Sequence, residues 1–112
     1  MKMVIAIIRP ERLSVVRTAL EEIGIVSMTI SEVRGRGAQK GVVQEYRGQQ
    51  VQVDYLPKIK IEIVINTTPL DDVIDAIVEN AASGQIGDGK IFVLDVEDAV
   101  RVRTRERGPA AV

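Results

Sequence analysis

Residues 58–65, KIKIEIVI, decide the fold of this chain, because their apolar and polar side chains alternate. Isoleucine occupies every second position from Ile59 onwards, and charged residues from Lys58 to Glu62 lie between. A period of two is typical of a β-strand with one face buried and one face open. We therefore expect a half-buried strand in a sheet that is covered on one side.

The residues that follow this strand predict a helix, a turn and another strand. Leu70, Ile77 and Ala81 lie on one apolar stripe at helical spacing. The helix runs into the glycine-rich sequence SGQIGDG at 83–89, and the apolar run at 90–96 has the length of a strand. The second half of the chain is therefore predicted as strand, helix and strand.

The first third of the chain repeats this order. Residues 2–8 form an apolar run of strand length, Pro10 begins a helix that ends at Gly24, and residues 28–33 predict another strand. Pro10 and Pro69 each begin a helix after an isoleucine-rich strand, so the two halves echo each other. The duplication predicts an α+β, ferredoxin-like double βαβ fold with a four-stranded antiparallel sheet and both helices on one face.

The segment between the halves has neither helical nor strand periodicity. We interpret residues 36–57 as a long flexible loop between strands 2 and 3, and a loop of this length in a compact domain is usually functional. The sheet face opposite the helices carries enough isoleucine and valine to leave a large apolar patch. We therefore expect the chain, a single domain over residues 1–112, to associate with copies of itself.

The composition excludes several classes of function. Cysteine and histidine are absent, which removes thiol and imidazole catalysis, disulfides and the usual zinc sites. A formal net charge of −1, with one Phe and two Tyr, argues against a nucleic-acid-binding protein. The apolar start of the chain is interrupted at Arg9 before it reaches the length of a signal peptide or membrane span, so we expect a cytoplasmic protein.

The sequence SGQIGDGKIF at residues 83–92 is typical of a loop that holds an anion. Its glycines allow backbone N–H groups to approach a ligand, and Lys90 adds a positive charge. The spacing from Gly84 to Lys90 fits the start of a Walker A loop, but Ile91 has no hydroxyl for Mg²⁺ and a strand follows instead of a helix. We predict a phosphate-binding loop over residues 82–90, with a plain helix-to-strand turn as the alternative.

Arginines near the C-terminus form a second candidate for anion binding. Arg101, Arg103 and Arg105 alternate, so an extended backbone would direct three guanidinium groups to one side, which suits a polyphosphate. The alternative is an arginine-rich segment, residues 98–112, that is merely solvated. Because a glycine loop is present in the same small domain, we interpret the arginines as part of an anion site.

The long loop contains two further candidates. The glycines at its root, in residues 35–41, provide backbone donors for a small anion, with a mobile hairpin base as the alternative. At its tip, Tyr46, Arg47 and Gly48 include residue types that anchor protein interfaces.

Together these motifs resemble the PII nitrogen-regulatory signal proteins over nearly the whole chain. The C-terminal pattern of that family is present at Ser83 and Gly87, and in DGKIF at 88–92. Further matches are QKG at 39–41, EYRG at 45–48, VDYLPK at 53–58 and RVRT at 101–104.

The resemblance implies a homotrimer that binds ATP or ADP in clefts between neighbouring subunits and also binds 2-oxoglutarate. The implied nucleotide-binding residues are Ile7, Thr29, Gly35, Gly37, Glu62, Val64, Gly87, Asp88, Gly89, Lys90, Arg101 and Arg103. Those implied for 2-oxoglutarate are Gln39, Lys40, Gly41 and Lys58. Gln39 is also the implied ligand of Mg²⁺, and an amide oxygen suits that hard cation.

The resemblance also implies that the long loop docks onto a target protein and thereby regulates nitrogen assimilation. Tyr46, Arg47 and Gly48 would contact an Amt-type ammonium channel, with Arg47 as the plug. Glutamine synthetase is an example of a further implied partner. Recruitment to the membrane through the channel would be reversible.

Several positions depart from the family pattern. Val51 replaces a tyrosine that is modified in many bacterial members and Gln49 replaces a serine that others phosphorylate, so we expect no modification at either position. Ala38 replaces an arginine that helps to hold the phosphates, and its absence would weaken ATP relative to ADP unless Arg36 compensates. Arg105 stands where the family usually has glycine.

From the sequence we therefore predict a non-enzymatic sensor of ATP, ADP and 2-oxoglutarate whose ligands bias a mobile loop. Two alternatives remain open. One is a small phosphate-transfer enzyme on the same fold, which would use Lys90 and the arginines. The other is a trimeric scaffold that does not respond to nucleotide.

Overall fold

A computed structural model describes residues 1–37, 42–46, 48–53 and 55–112, with the backbone alone described for strands 42–46 and 49–53. The six strands are β1 (Lys2–Ile8), β2 (Thr29–Gly35), β3 (Val42–Tyr46), β4 (Gln49–Val53), β5 (Leu56–Ile65) and β6 (Gly89–Asp95). The two α-helices are α1 (Leu13–Glu22) and α2 (Leu70–Ala81), and short 3-10 turns occur at Pro10–Arg12 and Gly108–Ala111.

The main sheet has the strand order β2-β5-β1-β6, and every neighbouring pair is antiparallel. This order, with one helix in each βαβ half, confirms the predicted α+β, ferredoxin-like arrangement. Because directly opposite residues of antiparallel strands share a face, Ile5, Glu62 and Phe92 lie on the same side of the sheet. We call this side, which carries no helix, the open face.

The isoleucines of β5 are buried against the helices, as their alternation predicts. Ile61 is fully buried, and Ile63 is 2% exposed. They pack with Val4 of β1, Leu20 of α1 and Ile77 of α2 in one hydrophobic core. The period of two on the strand and the helical spacing on α1 and α2 therefore converge on a single apolar layer.

Helix α1 ends where its sequence indicates, and it begins at Leu13, three residues after the predicted start at Pro10. Pro10 starts a 3-10 turn that leads into the helix, and Gly24 has a φ of +88° just beyond its last residues. The N–H of Gly24 donates to the carbonyl of Glu21 at 3.0 Å, and that of Ile25 donates to Leu20 at 2.9 Å. These two bonds form a Schellman motif, for which glycine is the preferred residue.

The open face retains large apolar side chains at its surface. Phe92 is 49% exposed and Leu94 is 48% exposed. Leu94 lies opposite Met3, which in turn lies opposite Val64, so the apolar residues continue across the sheet. Such a patch is typical of a surface that is covered by another protein chain.

The long segment between the second and third strands of the main sheet is confirmed, with one addition. Strands β3 and β4 pair with each other inside it, Tyr46 lying opposite Gln49, and the sequence did not predict this two-stranded sheet. Strand β5 also begins at Leu56, two residues before the predicted start at Lys58.

Candidate functional site

The predicted binding residues of the first strand and of the glycine loop meet at one end of the main sheet. Ile7 lies opposite Lys90 on one side and opposite Lys60 on the other. Ile8 lies opposite Gly89, the first residue of β6. The strand that follows the glycine loop therefore places Lys90 on the open face, at the sheet edge formed by β6.

Asp88 organises the glycine loop from within. Its carboxylate accepts hydrogen bonds from the backbone N–H of Ser83 at 2.8 Å and of Gly84 at 2.9 Å. The hydroxyl of Ser83 donates to the same carboxylate. These bonds, those of Ser83 first among them, hold the pKa of Asp88 well below its ordinary value. The carboxylate is therefore ionised and directed at its own loop, where it fixes the turn.

Arg9 is a functional candidate that the sequence did not indicate. Its Nε donates to Asp88 at 3.3 Å, and its Nη2 donates to the carbonyl of Ile86 at 2.8 Å. The side chains of Arg9 and Asp88 are only 28% and 22% exposed. The two residues are 79 positions apart, so no local pattern could have paired them.

Lys58 approaches the same loop from β5. Its ammonium group donates a hydrogen bond to the carbonyl of Gly87. A β-carbon added at Gly87, whose φ is +96°, would lie 3.3 Å from Nη2 of Arg9 and 3.7 Å from Nζ of Lys58. Gly35, at the end of β2, is also close, because an added β-carbon there would lie 3.5 Å from Cγ of Lys58. Arg9 and Lys58 thus both approach Gly87, and the stem of Lys58 also approaches Gly35.

Other residues implied for nucleotide binding lie further along the open face. Thr29 of β2 is opposite Glu62 of β5, and Val64 lies two residues after Glu62 on β5. Glu62 also forms an ion pair with Lys60 at 3.5 Å. The register therefore places Ile7, Thr29, Glu62 and Val64 on one surface.

The arginine-rich segment leaves the sheet at the opposite end. Val96 donates to the carbonyl of Met1 at 3.1 Å, and Lys2 pairs with Asp95, so the chain departs from the end of β6 that is remote from Lys90. Among the described residues, no hydrogen bond or ion pair joins 83–90 to 98–112. Within one chain the structure does not bring Arg101 and Arg103 to the glycine loop.

Several predicted residues lie outside the described part of the chain. These are Gln39, Lys40, Gly41 and Arg47, together with the departure at Ala38. Gly48 is described, and it is exposed with a φ of +76° between β3 and β4. In the described ranges, no three acidic side chains converge on a point that could hold a metal ion. No helix there has the length and apolar character needed to cross a membrane.

Comparison with known sequences relates the chain to one group of proteins. A family model described as "Nitrogen regulatory protein P-II" matches residues 1–106. A relative named nitrogen regulatory protein P-II 2, from Methanothermobacter thermautotrophicus, is 53% identical over 112 residues, which span all of this chain and 97% of the relative.

Two bacterial relatives are similar to the chain to nearly the same degree. Nitrogen regulatory protein P-II of Pasteurella multocida is 51% identical over the full length of both chains. Nitrogen regulatory protein P-II 1 of Escherichia coli K12 is also 51% identical over the full length of both. The similarity therefore extends through the glycine loop, the long loop and the arginine-rich segment.

Proposed function

The chain belongs to the P-II family of nitrogen regulatory proteins, and on that premise we propose that it senses ATP or ADP together with 2-oxoglutarate. The bound ligands would set the shape of the long loop, which would contact a target protein. Members of this family are signalling regulators and not enzymes, so the phosphate-transfer alternative is set aside.

The shape of the glycine loop supports the nucleotide site. Asp88 and Arg9 fix its turn, Gly87 and Gly89 have positive φ, and Lys90 lies beside them on β6. A turn held in place before binding does not have to be ordered by the ligand, which favours affinity. We therefore assign the phosphates of ATP or ADP to the backbone of residues 87–89 and to Lys90.

A complete phosphate site requires a second copy of the chain. Arg101 and Arg103 lie beyond the far end of β6, so in this proposal they reach the glycine loop of a neighbouring subunit. The apolar open face, with Phe92 half exposed, is the surface through which copies would associate. A homotrimer is the assembly we propose.

The contact between Lys58 and Gly87 is the observation on which the sensing mechanism rests. Lys58 is the cation that we assign to a carboxylate of 2-oxoglutarate, and its ammonium group already donates to the phosphate loop. An ammonium group has three N–H donors, so a carboxylate of the acid would bind Lys58 while the loop carbonyl keeps its bond, and Lys58 would connect the two ligand sites. Binding of the acid and of the nucleotide would be coupled by typically about 1–3 kcal/mol. Gln39, Lys40 and Gly41 would complete the acid site, with Gln39 also binding Mg²⁺.

The output of the sensor in this proposal is docking of the long loop. Tyr46, Arg47 and Gly48 would enter an Amt-type ammonium channel, and nitrogen-assimilation enzymes such as glutamine synthetase would be further targets. The protein would reside in the cytoplasm and bind the membrane only through its channel partner.

Calorimetric titration tests the proposal directly. We expect ATP with Mg²⁺ to bind, and 2-oxoglutarate to bind only when both are present. Lys58→Gln should abolish the response to 2-oxoglutarate while ATP still binds, and Arg17→Gln, on the exposed surface of α1, should change neither. Absence of ATP binding by the unaltered chain would refute the proposal.

The scaffold alternative makes a different prediction for Lys90→Ala. If the chain were a scaffold, this change would leave the binding of a target insensitive to nucleotide, as in the unaltered chain. In the proposed mechanism the unaltered chain responds to ATP and the variant loses the response. A pull-down of the target at several ATP concentrations distinguishes the two.

A further inference from the structure

The four arginines of residues 101–107 differ in whether their side chains are paired with other residues. Arg107 donates to Asp98 through Nε at 3.0 Å, and Asp98 also accepts from the N–H of Gly108. Arg101 donates to Glu106 at 3.1 Å and to the carbonyl of Ala110 at 3.2 Å. Among the described residues, the side chains of Arg103 and Arg105 have no hydrogen-bonded or ion-paired partner, and both residues are exposed.

The backbone at Arg105 is the unusual feature of this segment. Its φ is +62°, and in the described ranges no other residue except glycine has a positive φ. The turn is closed by the N–H of Arg105, which donates to the carbonyl of Arg101 at 2.8 Å, and by the N–H of Arg101, which donates to Glu106 at 2.9 Å. The left-handed region is unfavourable for a residue with a β-carbon and costs glycine little.

Elsewhere the chain meets this conformational requirement with glycine. The glycines with positive φ are Gly24, Gly48, Gly84, Gly87, Gly89 and Gly108. Arg105 carries a β-carbon in this strained conformation, and its side chain forms no hydrogen bond or ion pair with the described residues that would offset the cost. Strain that is retained without an internal benefit is a reason to look for a function.

The charge of Arg105 increases this cost. The side chain of Arg103, two residues away, also has no hydrogen-bonded or ion-paired partner among the described residues. Two unpaired positive charges therefore share one exposed turn. A polyphosphate relieves such a repulsion, because each guanidinium can form charge-assisted, often bidentate hydrogen bonds with phosphate oxygens. Arg101 and Arg107, by contrast, are paired with Glu106 and Asp98, and these ion pairs hold the turn in shape.

We infer that Arg105 is an additional phosphate-binding residue, which contacts the polyphosphate of a nucleotide bound at the glycine loop of a neighbouring copy. This inference rests on the proposed function and deepens it. Arg103 and Arg105 supply the available positive charge of the segment, and Arg101 joins them only by leaving Glu106.

Arg105→Gly tests the inference, because it should lower the affinity for nucleotide without lowering stability. Removing the β-carbon relieves the backbone, so the midpoint of thermal unfolding should stay the same or rise. Affinity for ATP with Mg²⁺, measured by calorimetry at low ionic strength, should fall by about five- to tenfold. Arg105→Lys keeps the strained backbone and the charge but loses the bidentate geometry of the guanidinium group, so its affinity for ATP should lie between those of the unaltered chain and Arg105→Gly.

Two results would overturn the inference while the proposed function stands. One is Arg105→Gly binding ATP as tightly as the unaltered chain. The other is a parallel loss of affinity and thermal stability, which would indicate a merely structural role for Arg105. Failure of the unaltered chain to bind ATP would instead overturn the proposed function, and the inference with it.

Discussion

A β-carbon added at Gly89 would lie 1.8 Å from the carbonyl oxygen of Ile7. Gly89 also has a φ of +114°, a conformation that side chains rarely adopt. The close approach occurs where β6 begins beside β1, at the end of the glycine loop. Glycine at this position therefore allows Lys90 to enter the sheet directly beside the candidate phosphate site.

The first prediction concerns this contact. Gly89→Ala should lower the free energy of unfolding by at least about 3 kcal/mol, because the backbone of Ile7 must move and the φ is strained. Urea denaturation followed by circular dichroism, at a single protein concentration, measures the change. Gly37→Ala is the matched control, since no atom lies within 4 Å of its added β-carbon, and it should cost less than about 0.5 kcal/mol. Equal costs for the two variants would contradict the prediction.

The second prediction concerns Arg9 and the shape of the glycine loop. Arg9→Gln removes the bonds to Asp88 and to the carbonyl of Ile86, so the loop should be less well ordered before it binds phosphate. We expect about fivefold weaker binding of ATP, which corresponds to roughly 1 kcal/mol. Calorimetry measures the affinity, with Arg17→Gln as a control that removes an exposed charge of the same sign. An unchanged affinity in Arg9→Gln would show that the loop keeps its shape without Arg9.

The third prediction concerns pH and the C-terminal segment. The hydrogen bonds from Arg107, then the N–H of Ala99, keep the pKa of Asp98 below its ordinary value. In the unfolded chain the carboxyl group therefore binds a proton more readily, so this contribution to stability is full at neutral pH and is lost as the pH falls below about 4. Asp98→Asn should reduce the dependence of unfolding free energy on pH in that acidic window.

Urea titrations at several pH values between neutral and strongly acid conditions measure this dependence. Asp75→Asn is the control, because Asp75 is exposed on α2 and forms no ion pair among the described residues. The prediction fails if Asp98→Asn and the unaltered chain lose stability in parallel on acidification.

The fourth prediction concerns the open face. Phe92→Lys places a charge in the apolar patch, and burying it between copies would cost about 2 kcal/mol or more per copy. Sedimentation should show monomers, and ATP binding should be lost with the assembly because the arginines come from a neighbouring chain. Val78→Lys, a change at a residue that is 47% exposed on α2, should leave the assembly intact. A stable oligomer of Phe92→Lys would place the interface elsewhere.

Local patterns in the sequence were sufficient to predict much of this fold. The alternation around Ile61 predicted a strand with one buried face, and the glycine after α1 predicted where that helix ends. Strands β3 and β4 were missed, because the only alternation there is the short run from Gln50 to Val53 in β4 and the two strands pair only with each other. The glycine loop was recognised from its composition, but the role of Arg9 in shaping it was not.

The sequence by itself determined the element types, the buried face of β5 and the presence of an anion-binding type of loop, since each depends on residues close together in the chain. Only the tertiary structure decided that Ile7 lies between Lys60 and Lys90, and that Arg9 and Lys58 converge on Gly87. It also decided that the arginine-rich segment departs from the far end of β6. These relationships depend on strand register and on contacts between distant residues, which the packing of the whole chain sets and no local pattern records.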